Sequence, residues 1–217
     1  MNFEQARFNM IEQQIRPWNV LDDQVLHLLS VVRREDFVPL AHKAMTFADM
    51  EIPLGHGQSM LAPRVEARML QDAAVQKHEK VLEIGAGSGY FTALLAHRAQ
   101  RVIALEIESD LARMARANLQ QAGVHNAEVR HGDGSQGAAS ESPFDLIVLG
   151  GSVAEIPPAL LEQLKVGGRL LAIVGEEPMM RMTIVKRRGQ GDYQTSQPWD
   201  TLAARLRNFP EPSPFRF

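Results

Sequence analysis

Lys80-Val81-Leu82-Glu83-Ile84-Gly85-Ala86-Gly87-Ser88-Gly89-Tyr90 is the stretch whose reading decides the fold. Its first five residues form a short apolar strand, and the glycines that follow permit a tight turn and close approach to a ligand. A helix from about Ser88 to His97 comes next. Arg101–Leu105 reads as a second strand, followed by a helix with Leu111, Ala115, Leu119 and Ala122 on one face, stopped by Gly123. Ala127–His131, Phe144–Leu149 and Arg169–Val174 supply further strands, the last two separated by a helix over Pro158–Leu164. Strands alternating with helices predict an α/β fold built on a doubly wound, mostly parallel sheet.

Outward from this core the rhythm changes. Met180–Arg188 and Asp192–Trp199 have no helix between them, so a turn at Gly189–Gly191 predicts an antiparallel C-terminal hairpin at the sheet edge. The N-terminal segment reads as helical. Phe8, Ile11 and Ile15 share a face until Pro17 interrupts, and Asp22 caps a helix burying Val25, Leu26 and Leu29. Residues 35–63 are punctuated by prolines and glycines and read as irregular. Pro63 then opens a helix burying Val65, Met69, Leu70 and Ala73, and Met69 and Met114 read as core. A single domain over 1–217 is expected, with a helical and substrate-loop part at 1–75, a cofactor-binding sheet at 79–200 and an extended tail at 208–217.

Composition narrows the chemistry. The 217 residues include no cysteine, which removes disulfide frameworks, thiolate metal sites and cysteine nucleophiles together. A net charge of −3 gives no footprint for nucleic acid or anionic lipid. The longest apolar runs, such as Leu170–Val174, have about a quarter of the ~20 residues that a membrane helix needs. Seven histidines are present without any H-E-x-x-H pattern, so no metal site is expected. Lys186-Arg187-Arg188 reads as a solvated strand end. A cytoplasmic protein is expected, with a monomer favoured.

The glycine loop selects among nucleotides. A dinucleotide fingerprint needs a glycine at position 90, where Tyr90 stands, and no Gly-Lys pair exists for a phosphate-cradling loop. No lysine or arginine lies near the loop to meet a pyrophosphate. Glu83 closes the strand, and Glu106 ends the next strand twenty-one residues after Gly85, where an acid can bind a ribose diol. Gly132-Asp133-Gly134 follows the third strand, and Asp133 can accept from an adenine amino group. A ribose, a cationic end and no phosphate describe S-adenosylmethionine, with S-adenosylhomocysteine as product.

Taken with the segments Arg34-Glu35-Asp36-Phe37-Val38-Pro39, Ile52-Pro53-Leu54-Gly55-His56-Gly57-Gln58 and Leu161–Leu170, these motifs resemble the protein-L-isoaspartate O-methyltransferase family over roughly Met10–Val185. The resemblance implies a Rossmann-like class I methyltransferase acting on the α-carboxylate of isoaspartyl residues in damaged proteins or peptides. Such an ester cyclises to a succinimide that reopens partly as aspartate. It implies cofactor contacts from Glu83, Gly85, Ala86, Gly87, Gly89, Glu106, Ile107, Asp133 and Gly134. It further implies a substrate loop of His56, Gln58, Ser59, Met60 and Leu61. His56 taken alone reads as an exposed loop residue.

The match breaks at one informative place. Family members follow the glutamine with Thr-Ile-Ser, the serine contacting the substrate carboxylate, whereas this chain reads Gln58-Ser59-Met60-Leu61. Leucine offers no hydrogen bond, so Ser59 is the remaining catalytic candidate on the loop. Leu149-Gly150-Gly151-Ser152 also replaces the usual Thr-Ala-Ala, and the tail from Asn208 has no counterpart. Three readings stay open: the family reaction, methyl transfer to another acceptor, and a regulatory protein that binds the cofactor without chemistry.

Overall fold

The computed structural model describes residues 2–211. The N-terminal helix α1 (Phe3–Met10) is capped by Asn2, whose side chain accepts from the Gln5 amide, and it runs into a π-helical turn at Ile11–Ile15. That wider turn rotates the apolar stripe. Met10, Ile11 and Ile15 are buried, while Phe8, expected beside them, is 59% exposed. Helix α2 (Asp23–Val31) is capped by Asp22 as expected and buries Val25, Leu26 and Leu29. The segment expected to be irregular contains 3-10 turns at Arg34–Phe37 and Leu40–Met45. It also contains a hairpin of β1 (Ile52–Gly55) and β2 (Gln58–Met60). Helix α3 (Pro63–Ala73) then leads into the main sheet.

That sheet is built from β3 (Lys80–Ile84), β4 (Arg101–Glu106), β5 (Ala127–His131), β6 (Phe144–Val153), β7 (Leu164–Glu176), β8 (Met179–Gly189) and β9 (Asp192–Asp200). Their spatial order is β5-β4-β3-β6-β7-β8-β9. The pairs from β5 to β7 are parallel, and β8 and β9 each join antiparallel, giving the expected C-terminal hairpin. Strand β7 begins at Leu164, so helix α6 (Pro158–Glu162) stops before the leucine expected to end it. Residues 165–168 bulge between the pairs Phe144–Leu164 and Leu146–Arg169.

Side chains alternate between two cores, as strand geometry requires. Val81, Val102, Ala104, Leu146 and Val148 join one cluster with α4 (Tyr90–Arg98), α5 (Ser109–Gln121) and the N-terminal helices. Leu82, Ile84, Ile103, Leu105, Ile147 and Leu149 join the other with Leu160 of α6. Chain leaving β3 crosses on the first face and chain leaving β6 on the second, so the switch point lies between these neighbours. Met69 is fully buried and Met114 packs partly buried against the same core. Ala122, expected to be buried, is exposed at the end of α5, where Gly123 adopts φ +70° and stops the helix.

Two corrections concern the C-terminal half. Arg187 is not simply solvated: its guanidinium donates to the carbonyls of Glu162 and Leu164 and ties down the end of α6. The tail does not run straight, because Arg207 and Asn208 form a turn in which Asn208 has φ +63°. The remainder of the expected extended tail, residues 212–217, lies outside the described residues. No helix is long and apolar enough to cross a membrane among the described residues.

One buried pair ties the sheet to the N-terminal part. Arg169 on β7 meets both carboxylate oxygens of Glu79 at 2.8 and 2.9 Å and donates to the Ala73 carbonyl at the end of α3. Removing one partner of such a pair strands the other charge away from water. Arg169→Met is expected to destabilise the chain by about 3–5 kcal/mol in urea unfolding. A loss below ~1 kcal/mol would show that the pair is solvated or replaceable.

Candidate functional site

The residues expected to contact the cofactor lie at the carboxyl ends of the parallel strands β3, β4 and β5. The loop after β3 turns through three left-handed glycines, Gly85 (φ +91°), Gly87 (φ +53°) and Gly89 (φ +83°). Neighbouring backbone presses close: a Cβ on Gly150, at the exit of β6, would lie 2.4 Å from the Gly85 carbonyl oxygen. Likewise a Cβ on Gly134 would lie 2.3 Å from a methyl of Ile84. Ala86 is buried within the loop, and Ile107 is half-buried beyond β4, its carbonyl 3.2 Å from His131 Nε2.

Glu106 sits at the end of β4 with its carboxylate turned toward the loop. One oxygen accepts from the Gly87 amide at 2.8 Å and the other from the Glu108 amide at 3.0 Å. Asp133 is exposed. It accepts from the Ser135 amide at 2.8 Å and from the Asn208 carboxamide at 2.8 Å. Burial works against its charge, but these two donors prevail and hold its pKa below the ordinary range.

The hairpin of β1 and β2 folds over this loop. His56 and Gly57 both take positive φ, +55° and +70°, as a two-residue hairpin turn requires. His56 is exposed, with Nδ1 3.4 Å from Glu108 and Nε2 3.6 Å from Asp110. Gln58 and Ser59 are half-buried, and Met60 and Leu61 are buried. A cavity of about 30 Å³ lies between hairpin and loop, lined by Ser59, Met60, Leu61, Glu66, Glu83 and Gly85 among others.

Glu83 is the chemically unusual member of this group. It has no exposed surface, and neither carboxylate oxygen has a hydrogen-bond partner. Burial pushes its pKa up to about 8; the Thr92 hydroxyl, near the carboxylate but outside hydrogen-bonding geometry, opposes the rise, and the nearby Glu66 and Glu106 carboxylates add to it. Glu66 is also buried and raised to about 7 by desolvation, despite its ion pair with Arg34. Sequence reasoning missed both Glu66 and Arg34 as parts of the site. Arg34 is 1% exposed, donates to the carbonyls of Thr46 and Leu61, and lies 5.0 Å from the Tyr90 ring centre. The legible signals were the Arg34–Pro39 motif, quoted without a role for Arg34, and an acid beside the apolar stripe of α3.

A roomier groove of about 770 Å³ lies at the opposite end of the strands, bordered by His27, Val75 and His97. It is lined by no buried, unpartnered side chain among the described residues. Open α/β sheets bind ligands beyond their carboxyl strand ends, and Glu83 lies there.

Burial of Glu83 sets a pH dependence. Unfolded, its carboxyl titrates near 4.5; folded, it holds its proton to about 8. The folded state therefore binds protons more tightly, and stability is lost as pH rises through that window. Glu83→Gln removes this loss, so its stability relative to wild type is expected to climb between pH 5 and pH 9. The gain should be on the order of 3–5 kcal/mol. Parallel stability–pH curves for the two proteins in urea would contradict the assignment.

The chain matches known proteins along most of its length. The sequence profile described as protein-L-isoaspartate(D-aspartate) O-methyltransferase (PCMT) matches residues 5–202. A protein-L-isoaspartate O-methyltransferase of Methanoculleus marisnigri is 41% identical over 185 residues, covering 85% of this chain and 84% of that one. One of Koribacter versatilis is 37% identical over the same length, covering 85% and 83%. Among solved structures, one from Plasmodium falciparum in complex with S-adenosyl-L-homocysteine superposes with a TM-score of 0.78 at 20% identity, covering 95% of this chain and 99% of that one. A solved protein-L-isoaspartate O-methyltransferase gives 0.77 at 21% identity, covering 92% and 65%. On the extent of the profile match and the identity to both relatives, the chain belongs to the protein-L-isoaspartate(D-aspartate) O-methyltransferase family.

Proposed function

We propose that the chain transfers a methyl group from S-adenosylmethionine to the α-carboxylate of isoaspartyl residues in proteins or peptides. The observation that carries this reading is the meeting of Glu83, the glycine loop and Ser59-Met60-Leu61 around one small cavity. Glu106 suits the ribose, because each of its oxygens keeps a lone pair beyond the backbone bond it already accepts. Asp133 suits the adenine amine. Glu83, buried without a partner, suits the cationic end of the cofactor, since a nearby positive charge favours the ionised carboxylate. Gly85, Ala86, Gly87 and Gly89, with Ile107 and Gly134, offer backbone and apolar surface along the way.

When bound, the cofactor supplies an electrophilic methyl on a sulfonium. The acceptor carboxylate is already ionised at pH 7 and needs no base. The chain's own task is therefore orientation and exclusion of water. Arg34 serves it by fixing the Leu61 carbonyl at 2.7 Å, which anchors the end of the hairpin to the helical N-terminal part. Ser59 contributes a half-buried hydroxyl to the cavity on the hairpin side.

Leu61 favours a second reading, methyl transfer to an acceptor other than isoaspartate. It lines the cavity where family members carry serine, and a leucine there leaves a bound carboxylate one donor short. That shortfall costs about 1–3 kcal/mol.

Two substitutions separate cofactor from acceptor. Glu106→Ala is expected to weaken S-adenosylhomocysteine binding about ten- to hundredfold in calorimetric titration, the cost of about 1.5–3 kcal/mol for a lost charged acceptor. Unchanged affinity in a folded variant would refute the ribose placement. Leu61→Ser should raise kcat/KM on an isoaspartyl peptide about tenfold, or ~1.4 kcal/mol of regained transition-state contact, while leaving cofactor affinity alone. No gain in a folded variant would mean that position 61 does not face the acceptor.

A further inference from the structure

The family match ends at residue 202, and the chain that follows turns back across the strand ends. Residues 203–206 are stitched to the exit of β6. The fully buried Ser152 donates its amide to the Ala204 carbonyl at 2.8 Å and its hydroxyl to the Ala203 carbonyl at 2.8 Å, and its own carbonyl accepts the Leu206 amide at 2.9 Å. Leu206 packs over two glycines of the site. A Cβ on Gly85 would lie 2.9 Å from its side chain, and one on Gly151 3.0 Å.

Beyond Leu206 the attachments change character. The backbone stitching stops, and side chains take over. The Arg207 guanidinium bridges the Glu108 carboxylate and the His56 carbonyl, so one residue clasps the hairpin tip to the turn that follows Glu106. The Asn208 carboxamide donates to Asp133 Oδ2. Phe209 tucks into the second core and is 7% exposed. A carboxamide N–H on Asp133 is the same kind of donor that an adenine amino group presents. The hairpin that Arg207 holds roofs a cavity of about 30 Å³, far below the roughly 300 Å³ at which small-molecule pockets begin; residues 203–209 do not line it.

We propose that Arg207–Phe209 form an autoinhibitory latch, hinged at the Ser152-bound segment, that covers Asp133 at the adenine end of the cofactor site and is displaced when the nucleoside binds. The inference rests on the cofactor reading above. Asn208 and the adenine amine compete for Asp133, and Arg207 holds the hairpin down until that exchange takes place. Affinity for cofactor is then reduced by the fraction of molecules whose latch is open. The latch sets how much cofactor the protein needs before its cofactor site opens.

Calorimetric titration of the full chain with S-adenosylhomocysteine tests this, using Arg207→Ala, Asn208→Ala and the double variant. Both side chains sit at the surface, so the variants should fold. The double variant is expected to bind about tenfold more tightly than wild type. Tryptic cleavage of the wild type after Arg207 should speed up on adding the ligand. Unchanged or weaker binding by the variants, or unchanged or slower cleavage after Arg207, would make the segment a fixed wall or a lid and overturn the latch while leaving the cofactor reading intact. Absence of binding by wild type and variants alike would overturn the cofactor reading and the latch with it.

Discussion

The site depends on one close approach, that of the β3 exit to the β6 exit. These strands are neighbours, and their crossovers leave on opposite faces, so a crevice opens between their ends. Glycine at 85 and at 150 lets the two backbones nearly touch, because a side chain at 150 would run into the Gly85 carbonyl. That contact sets how far the loop swings over the sheet. The loop's position in turn brings the Gly87 amide to Glu106 and leaves Glu83 sealed underneath. A bulkier residue at the switch point would push apart every group arranged around it.

Electrostatics follow from that burial. Three glutamates, Glu66, Glu83 and Glu106, lie within a few residues' reach of one another, and each is at most 4% exposed. Arg34 partners Glu66, and backbone amides satisfy Glu106, which leaves Glu83 alone. A carboxyl buried in that state costs folding stability at neutral pH and above. A fold carries such a cost where the group serves binding, and a cationic ligand end would repay it. The Arg34 guanidinium also couples the N-terminal part to the hairpin end, so the hairpin and the glycine loop adjoin one buried charge network.

Much of the sheet was legible because parallel strands covered on both faces are nearly continuous apolar runs, as in Val102–Leu105 and Leu170–Val174. Gly85, Glu106 and Asp133 were legible because their spacing follows from the strand–loop–helix unit. Other features escaped for identifiable reasons. The hairpin at 52–60 hid behind Pro53, Gly55 and Gly57, which read as breakers although His56 and Gly57 form the turn. Phe8 was misplaced because a π-helical turn altered the period of the first helix. The contacts of the C-terminal tail had no local signal, since Arg207 and Asn208 bond to His56 and Asp133, 151 and 75 residues away. The pairing of Arg34 with Glu66, 32 residues apart, was equally invisible to periodicity.

Methyl transfer to a defined peptide decides the central claim most directly. The full chain would be incubated with methyl-labelled S-adenosylmethionine and a peptide bearing one isoaspartyl residue, beside its aspartyl counterpart, and the products treated with mild base. The account predicts label on the isoaspartyl peptide alone, released as volatile methanol because the product is a carboxyl ester. Base-stable label, or no label on either peptide from a protein that binds S-adenosylhomocysteine, would contradict it.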